Sequence, residues 1–299
     1  MLAALVFAGF GSTGEAEAAS GVQCGSRLTK NTVLTKDLHC KKDGLKIGAH
    51  GISLDLNGHD IIGPGLPGTK GIQNSGYDHV VINGYNGGTI RGFDRGIELR
   101  KGADDNEIVG FYVGGIRAGH YGLVMYDSDR ARVDDNFITA GAKADGYDGG
   151  FGAAYALYRS HDHWFEENYS WGNGVNVFVL DNSHRNNVGE FNFVEADNRL
   201  EVPAGLTPSR GTGLILWNSD KNQIVGNVFA ENAKDGIYID SKSTGNRVAG
   251  NLAVDNGRLG INVRSKNTDG GGNVAFGNGW SAQCRRLRGS GKCPTPRRR

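Results

Sequence analysis

The sequence has few prolines and methionines, no long apolar run and no sustained helical period. Six prolines and two methionines occur among 299 residues, and 38% of the residues are hydrophobic. No apolar stretch approaches the ~20 residues of a membrane-spanning helix, which excludes an integral membrane protein of that kind. The 49 glycines follow no G-X-Y period, which excludes collagen. Because Leu, Ile, Val and Phe recur at short intervals, disorder is also disfavoured.

The charge is divided unevenly along the chain. Seven basic residues and no acidic residue lie between positions 285 and 299, although the formal net charge is only +1. A nucleic-acid binder usually concentrates positive charge on its folded face, so no nucleic-acid partner is expected. The basic tail is interpreted as a solvated end, or alternatively as a segment that holds an acidic wall polymer.

Residues 1–19 resemble a secretory leader. An apolar stretch runs from Leu2 to Phe10, too short to span a bilayer, and Ala16-Glu17-Ala18 has the small-x-small pattern of a cleavage site. The basic start of a typical leader is missing. Four cysteines agree with export to an oxidising compartment, so the protein is predicted to be secreted, extracellular or associated with the cell wall.

An internal repeat of 23 to 24 residues organises the chain. Its clearest copy is Gly213-Leu-Ile-Leu-Trp-Asn-Ser219, followed by Asn222 and Asn227. The same frame recurs with its serine at Ser128, Ser160, Ser183 and Ser243, and weaker copies begin at Gly44, Gly71, Gly96 and Gly260.

Each copy contains two or three short alternating segments separated by Gly, Asn, Asp or Ser, which is typical of strands and turns. A unit this short cannot bury its own apolar face, so the copies must stack and share one core. The Leu-x-x-Leu-x-Leu spacing of leucine-rich repeats is absent. Ser and Asn at fixed turn positions predict stacked turns that hydrogen-bond along the stack, and therefore an all-β fold, a parallel β-helix of about nine coils.

The copies, together with Gly51-Ile-Ser-Leu-Asp-Leu-Asn-Gly-His-Asp-Ile-Ile62, resemble a known group of secreted proteins. They are similar to the single-stranded right-handed parallel β-helices of pectate lyases, polygalacturonases, alginate lyases, mannuronan epimerases and a periplasmic copper-maturation family. The resemblance covers about residues 22–283 and implies a β-helix domain over 20–283, closed by a tail over 284–299. It implies the fold rather than one activity, because this superfamily performs several chemistries.

The cysteines form two clusters at opposite ends of the chain. Cys24 and Cys40 are 16 residues apart, and Cys284 and Cys293 are 9 apart. Four cysteines allow three connectivities. In an elongated monomer only local pairing is compatible with these positions, which predicts the disulfides Cys24–Cys40 and Cys284–Cys293.

A column of outward-facing residues is the first candidate site. Side chains alternate along a strand, so the residue two before each repeat serine points outward, and successive coils lie ~4.8 Å apart. Aromatic residues beside Asp and Arg suit sugars, which have apolar faces and polar edges. The alternative is an ordinary solvated strand face. Besides Tyr158, the column contains the predicted substrate-binding residues Arg100, Tyr126, Asp181, Trp217, Asp240 and Arg264. Two insertions, at 140–152 and 195–212, are expected to wall this column near Tyr158 and Asp181.

The densest titratable cluster follows Tyr158. Abstraction of the proton α to a uronate carboxylate needs a neutraliser, a base and an acid. Arg159 is the candidate neutraliser, His161 the candidate base, and Tyr158 a donor or acceptor. Mannuronan epimerases carry a Tyr followed by Asp-x-His; here the Tyr158-to-His163 separation matches, but Asp162 is one place late, which puts its catalytic role in doubt.

His163 and the acidic turns have simpler explanations. His163 occupies the inward turn position filled by asparagine in other coils, so we expect a ladder residue rather than a catalyst. The pairs at Asp127 and Asp129, and at Asp134 and Asp135, could hold calcium through oxygen ligands, or could be solvated turns. No other cofactor is indicated, and the absence of clustered thiols and of a His-x-x-x-His motif disfavours a copper site.

Three functions remain open. The leading hypothesis is an exported enzyme that acts on an acidic, uronate-containing polysaccharide by β-elimination or epimerisation. A glycoside hydrolase would use Asp181 and Asp240, which are two coils and about 9.6 Å apart by strand spacing, just beyond the ~6.5–9.5 Å of inverting carboxylate pairs. The third is a non-catalytic module that binds polysaccharide or the cell surface.

Overall fold

The computed structural model describes residues 17–18, 21–114, 121–139, 153–171, 176–189, 192–195 and 211–285. All regular structure in these ranges is β-strand, and every strand pairing is parallel. The strands form three sheets, and each coil contributes one strand to each sheet in turn. The fold expectation is therefore confirmed: the chain is a parallel β-helix. No helix in the described part of the chain is long and apolar enough to cross a membrane.

Strand order within each sheet follows the order of the coils along the chain. Sheet 1 contains Arg27–Leu28, Leu45–Ile47, Lys70–Ser75, Arg95–Arg100, Tyr121–Tyr126, Ala153–Tyr158, Asn176–Asp181, Thr212–Trp217, Ile237–Ile239, Ile261–Val263 and Cys284–Arg285. Sheet 2 contains Glu17–Ala18, Thr32–Val33, Ser53–Asp55, Val81–Asn83, Glu107–Val109, Arg132–Asp134, Trp164–Glu166, Asn187–Val188, Gln223–Val225, Arg247–Ala249 and Thr268–Asp269. Sheet 3 contains Leu38–His39, Ile61–Ile62, Thr89–Arg91, Tyr112–Gly114, Phe137–Thr139, Tyr169–Trp171, Phe193–Glu195, Val228–Ala230, Leu252–Val254 and Val274–Phe276.

The number of coils is close to the expected nine. Sheet 3 has ten described strands, one per coil. The additional coil is the first one, with strands Arg27–Leu28, Thr32–Val33 and Leu38–His39. This coil was not recognised as a repeat copy in the sequence, because its strands are only two residues long and carry too little of the repeat pattern.

The core is a set of columns of inward-facing side chains. In sheet 1 the strand register places Leu99, Met125, Leu157, Leu180 and Leu216 side by side, and all five are buried. In the neighbouring inward column the rings of Tyr155 and Phe178 stack with their centroids 4.6 Å apart. Since each coil buries its apolar face only against the coils above and below, the stack forms one continuous core.

Ladders of Asn and Ser side chains close the turns, as the repeat predicts. The Asn186 N–H donates to Oδ1 of Asn222 at 2.8 Å, and the Asn222 N–H donates to Oδ1 of Asn246 at 2.8 Å. In another turn the Ser160 N–H donates to Oγ of Ser183 at 3.2 Å. Buried backbone donors must be paired, and the ladders pair them without any other secondary structure.

His163 belongs to the asparagine ladder. It is buried, its N–H donates to Oδ1 of Asn186 at 2.9 Å, and its Nδ1 accepts from the Ala131 N–H at 3.0 Å. The expectation of a ladder residue is confirmed. Unlike an asparagine amide, the ring keeps a buried Nε2 that has no hydrogen-bond partner among the described residues.

The first disulfide is present as expected. Cys24 and Cys40 are bonded, with their Cα atoms 5.4 Å apart. Cys284 is also disulfide-bonded. Cys293 lies outside the described residues.

Disulfide mapping of the exported protein by mass spectrometry is expected to find Cys24–Cys40 and Cys284–Cys293. The reason is distance, because the two clusters lie in the first coil and beyond the last coil of the stack, whereas a disulfide needs Cα atoms within about 7 Å. A bridge between the two clusters would contradict the elongated β-helix.

Candidate functional site

The outward column of sheet 1 is continuous across five coils. The strand register makes Arg100, Tyr126, Tyr158, Asp181 and Trp217 successive Cα partners. With a strand spacing of ~4.8 Å, these five residues cover about 19 Å of the surface. We call this set the polar-aromatic column.

Three tyrosines make the centre of the column rigid. The rings of Tyr126 and Tyr158 stack with their centroids 5.1 Å apart, and the hydroxyls of Tyr158 and Tyr121 lie 2.9 Å apart. The tyrosines pack on outward-facing Val124 and Ala156, which are both buried. This patch is a second apolar cluster, separate from the main core and on the opposite face of sheet 1. It holds the Tyr158 hydroxyl in a fixed position.

Burial sets the protonation of the central side chains. It raises the pKa of Tyr126 to about 12 and raises that of Tyr158 further, with a contribution from the Tyr121 hydrogen bond. Burial also raises the pKa of the half-buried Asp181, against the opposing charge of Arg159. Tyr158 therefore stays a protonated phenol at neutral pH. Asp181, on the adjacent strand, is a carboxylate with more basicity than usual.

The far end of the column differs from the expectation. Trp217 is 42% exposed on the outer face. Asp240, expected to bind substrate, instead uses its carboxylate within its own turn. Its Oδ1 accepts hydrogen bonds from the Lys242 N–H at 3.1 Å and from the Ser243 N–H at 2.8 Å and Oγ at 2.6 Å. The guanidinium of Arg264 lies 5.3 Å from the ring centroid of Tyr238. The strand register of the column extends to Trp217, and substrate binding by Asp240 and Arg264 stays a prediction.

Arg159 and Asp162 form ion pairs with neighbouring coils. Arg159 makes a bidentate pair with Asp127, with distances of 2.6 and 2.7 Å, and both side chains are exposed. Asp162 makes a similar pair with Arg185, at 2.7 and 2.6 Å. These pairs lower the pKa of both carboxyl groups. The turn after Tyr158 thus directs the two side chains to opposite neighbouring coils.

His161 takes part in a surface ladder that sequence reasoning did not anticipate. The His161 N–H donates to Oδ1 of Asp129 at 2.7 Å, and Nδ1 of His161 accepts from the His184 N–H at 3.0 Å. The two imidazoles stack with their centroids 5.1 Å apart, and Nδ1 of His184 accepts from the Asp220 N–H at 2.9 Å. A neutral ring that accepts at Nδ1 carries its proton on Nε2. In this arrangement Nε2 of His161 is a donor and has no lone pair for a substrate proton.

Sequence reasoning missed Glu98, Arg95 and Tyr121, which also face outward on sheet 1. Glu98 is wholly buried and ion-paired with Arg95. Arg95 and Tyr121 are Cα partners on adjacent strands. For Glu98 the signal was available, because it lies two residues before Arg100 and the repeat frame considered only the position before the turn. Arg95 and Tyr121 lie five residues before Arg100 and Tyr126, where strict alternation predicts an inward side chain, so the sequence pattern did not indicate them. The insertions expected to wall the site lie almost wholly outside the described residues, at 140–152 and 196–210.

The described residues offer no ready metal centre. No group of three or more His, Cys, Asp or Glu side chains within them is arranged to hold a metal ion. The carboxylates considered for calcium have protein partners: Asp127 pairs with Arg159, and Asp134 pairs with Arg132 at 2.7 Å.

Comparison with solved structures shows what the fold is similar to. The chain aligns with the periplasmic alginate epimerase AlgG with a TM-score of 0.53 and 15% identity, covering 85% of this chain and 71% of that one. A double mutant of AlgG aligns with a TM-score of 0.57 and 14% identity over the same shares. The Dettilon tailspike protein (gp208) aligns with a TM-score of 0.52 and 15% identity, covering 89% of this chain and 59% of that one. At these identities the similarity concerns the fold.

Comparison with sequences gives a family. The family described as "Periplasmic copper-binding protein (NosD)" matches residues 57–283, about three quarters of the chain. No curated protein matches the sequence significantly.

Proposed function

The chain belongs to the NosD family, and we propose that this member is an exported β-helix protein that acts on an acidic, uronate-containing polysaccharide. The observation that carries the proposal is the polar-aromatic column, in which strand register aligns Tyr126, Tyr158, Asp181 and Trp217 on one outer face. The periplasmic location in the names of the family and of AlgG supports export, and so does the Cys24–Cys40 disulfide.

Copper, which the family description names, does not fit the described residues. The side-chain groups that suit copper are thiolate, thioether and imidazole. Cys24, Cys40 and Cys284 are in disulfides, and Met125 is buried in the core. The nearly parallel rings of His161 and His184 are 5.1 Å apart with both Nδ1 atoms in use, so their lone pairs do not converge on one ion. No step of the proposed reaction therefore involves copper.

A polysaccharide fits the column in shape and chemistry. An extended sugar chain presents apolar ring faces and polar edges, which match an exposed indole beside a carboxylate and phenols. Trp217 supplies an open aromatic surface next to Asp181, while the stacked pair Tyr126 and Tyr158 supplies a rigid one. AlgG, with the same fold, acts on alginate according to its name.

The proposed chemistry is proton transfer at the sugar carbon next to the uronate carboxylate. Asp181 accepts the proton α to the carboxylate, and Tyr158 donates a proton from the adjacent strand. In β-elimination the electrons left on carbon form the double bond, the bond to the glycosidic oxygen breaks, and Tyr158 protonates that oxygen. In epimerisation Tyr158 returns a proton to the same carbon from the opposite face. Each reaction uses one acid and one base.

Arg159 is proposed to neutralise the substrate carboxylate. Its pair with Asp127 is exposed, and exposed ion pairs contribute little, so exchange for a ligand carboxylate is feasible. Since Nδ1 of His161 is occupied, Asp181 takes the role of base that was expected for His161. Asp162 remains paired with Arg185 and stabilises the turn.

Non-catalytic binding is the second candidate, and a specific observation favours it. Arg159, His161 and Asp162, three of the four residues first proposed for catalysis, have partners in neighbouring coils that suffice to explain their presence. A hydrolase is less well supported, because the Asp240 carboxylate is used by its own turn.

Trp217→Ala is expected to weaken polysaccharide binding at least about tenfold and to change the melting temperature little. A half-exposed outward ring contributes sugar contacts but little core packing, whereas a buried aromatic truncated to Ala costs about 3–5 kcal/mol. Calorimetric titration and thermal melting measure the two effects. Trp164→Ala is the matched control, because Trp164 is 47% exposed on sheet 2 and lies outside the column. Equal loss of binding in both variants, or a large fall in melting temperature for Trp217→Ala, would contradict the assignment.

A further inference from the structure

A buried carboxylate on the outer face of sheet 1 lies between two arginines. Glu98 faces outward, yet its side chain is 0% exposed. Its Oε2 pairs with Nη1 of Arg95, and its Oε1 accepts from Nε2 of Gln73 at 2.9 Å. Nη1 of Arg100 lies 3.6 Å from the same Oε1. A carboxylate removed from water must be paired, and Arg95 with Gln73 already supplies close partners for both oxygens.

Arg100 therefore adds a cation that Glu98 does not need. Its 3.6 Å contact is longer than the 2.7–2.9 Å typical of charge-assisted hydrogen bonds. Its side chain is 39% exposed, so the guanidinium can reach a ligand. Together Arg95, Glu98 and Arg100 carry a surplus of one positive charge.

The position of Arg100 relates this charge to the proposed site. Arg100 is the Cα partner of Tyr126, which in turn is the Cα partner of Tyr158. Two strand spacings separate Arg100 from Tyr158, about 10 Å. The guanidinium of Arg95 lies 5.8 Å from the ring centroid of Tyr126, so the cationic cluster and the tyrosines form one continuous surface.

We propose that Arg100, positioned beside the Arg95–Glu98 pair, binds a carboxylate of the glycan two coils from Tyr158. This deepens the proposed function and rests on it. A planar guanidinium matches a carboxylate through two parallel hydrogen bonds, and neutral sugars offer no such group. The substrate class is therefore a polyuronate with carboxylates on several sugars along the chain, rather than a polymer with one isolated acidic residue. It lies along the column with one carboxylate at Arg100 and a second uronate at Tyr158 and Asp181.

The test compares binding of charged and neutral forms of one polymer. Wild type, Arg100→Ala, Arg100→Gln and Arg247→Ala are titrated with polygalacturonate, with alginate and with carboxyl-reduced samples of each. Arg247 is an exposed arginine on sheet 2 and controls for loss of one positive charge. Arg100→Gln keeps hydrogen-bond donors without the charge, and melting temperatures confirm that each variant is folded.

Both Arg100 variants are expected to bind the charged polymer about tenfold more weakly, with unchanged binding of the carboxyl-reduced form. Their affinity is also expected to depend less on salt, and Arg247→Ala is expected to behave as wild type. If wild type prefers the charged polymer and the Arg100 variants keep that full preference, the proposal for Arg100 is overturned while the proposed function stands. If wild type binds none of these polymers, the proposed function itself is overturned.

Discussion

Tyr158→Phe is expected to lower turnover of a uronate polymer by at least about 10²-fold, with binding nearly unchanged, because it removes the proton donor and keeps the ring. Asp181→Asn, which removes the proton acceptor, is expected to have a similar effect. Absorbance of unsaturated uronate measures elimination, and NMR of the polymer measures epimerisation. Tyr112→Phe is the matched control, since Tyr112 is an exposed tyrosine on sheet 3.

Full turnover in the variant carrying both Tyr158→Phe and Asp181→Asn would contradict the catalytic assignment and show that other residues carry the chemistry. His161→Ala distinguishes the two candidate bases. If Asp181 is the base, His161→Ala keeps turnover and lowers the melting temperature, because it removes the acceptor of the His184 N–H. If His161 is the base, turnover falls as much as in Tyr158→Phe.

Arg159→Ala is expected to reduce turnover more than affinity, since neutralisation of the substrate carboxylate matters most as negative charge develops.

His163→Asn is expected to make the protein less sensitive to acid. Burial lowers the pKa of His163 to about 3 in the folded state, against 6.5 for an ordinary histidine. Between these values the unfolded chain binds a proton that the folded chain excludes. The stability contributed by neutral His163 is therefore complete above pH 6.5 and is lost as the pH falls toward 3.

Over pH 6.5 to 4.5 this linkage amounts to about 2 kcal/mol of unfolding free energy, from ~1.4 kcal/mol per pH unit below the unfolded pKa. Denaturant unfolding of wild type and His163→Asn across this range measures it. Asparagine fills the same ladder position in Asn186 and Asn222, so it preserves the turn. The other titrating groups, including His161 and His184, are present in both proteins and cancel in the difference. Parallel pH profiles for the two proteins would contradict the assignment of a neutral, buried His163.

Features that repeat along the chain could be predicted from sequence, because each copy supports the same inference. The alternation within Gly-Leu-x-Leu-x-x-Ser was sufficient to place Tyr126, Tyr158, Asp181 and Trp217 in one outward column. The fixed turn spacing was sufficient to place His163 in the asparagine ladder. Strand register and stacked turns depend on period alone.

Features that depend on which partner a polar side chain contacts could not be predicted in the same way. The Asp240 carboxylate turns back to Ser243, although its position continues the outward column. Arg159 and Asp162 follow Tyr158 within four residues, but ion pairs with Asp127 and Arg185 determine where their side chains lie. The partner of such a long polar side chain is the facing residue in another coil, up to 32 residues away. The repeat pattern does not specify the identity of that facing residue.

The most direct test of the account is solvent exchange at the uronate carbon. The protein is incubated with polygalacturonate and with alginate in deuterated water, and NMR follows deuterium at C5 and the appearance of unsaturated uronate. Wild type is expected to give one of these two signals, and Tyr158→Phe and Asp181→Asn are expected to lose it. Binding of both polymers with neither signal, under conditions in which the protein is folded, would contradict proton transfer at the polar-aromatic column.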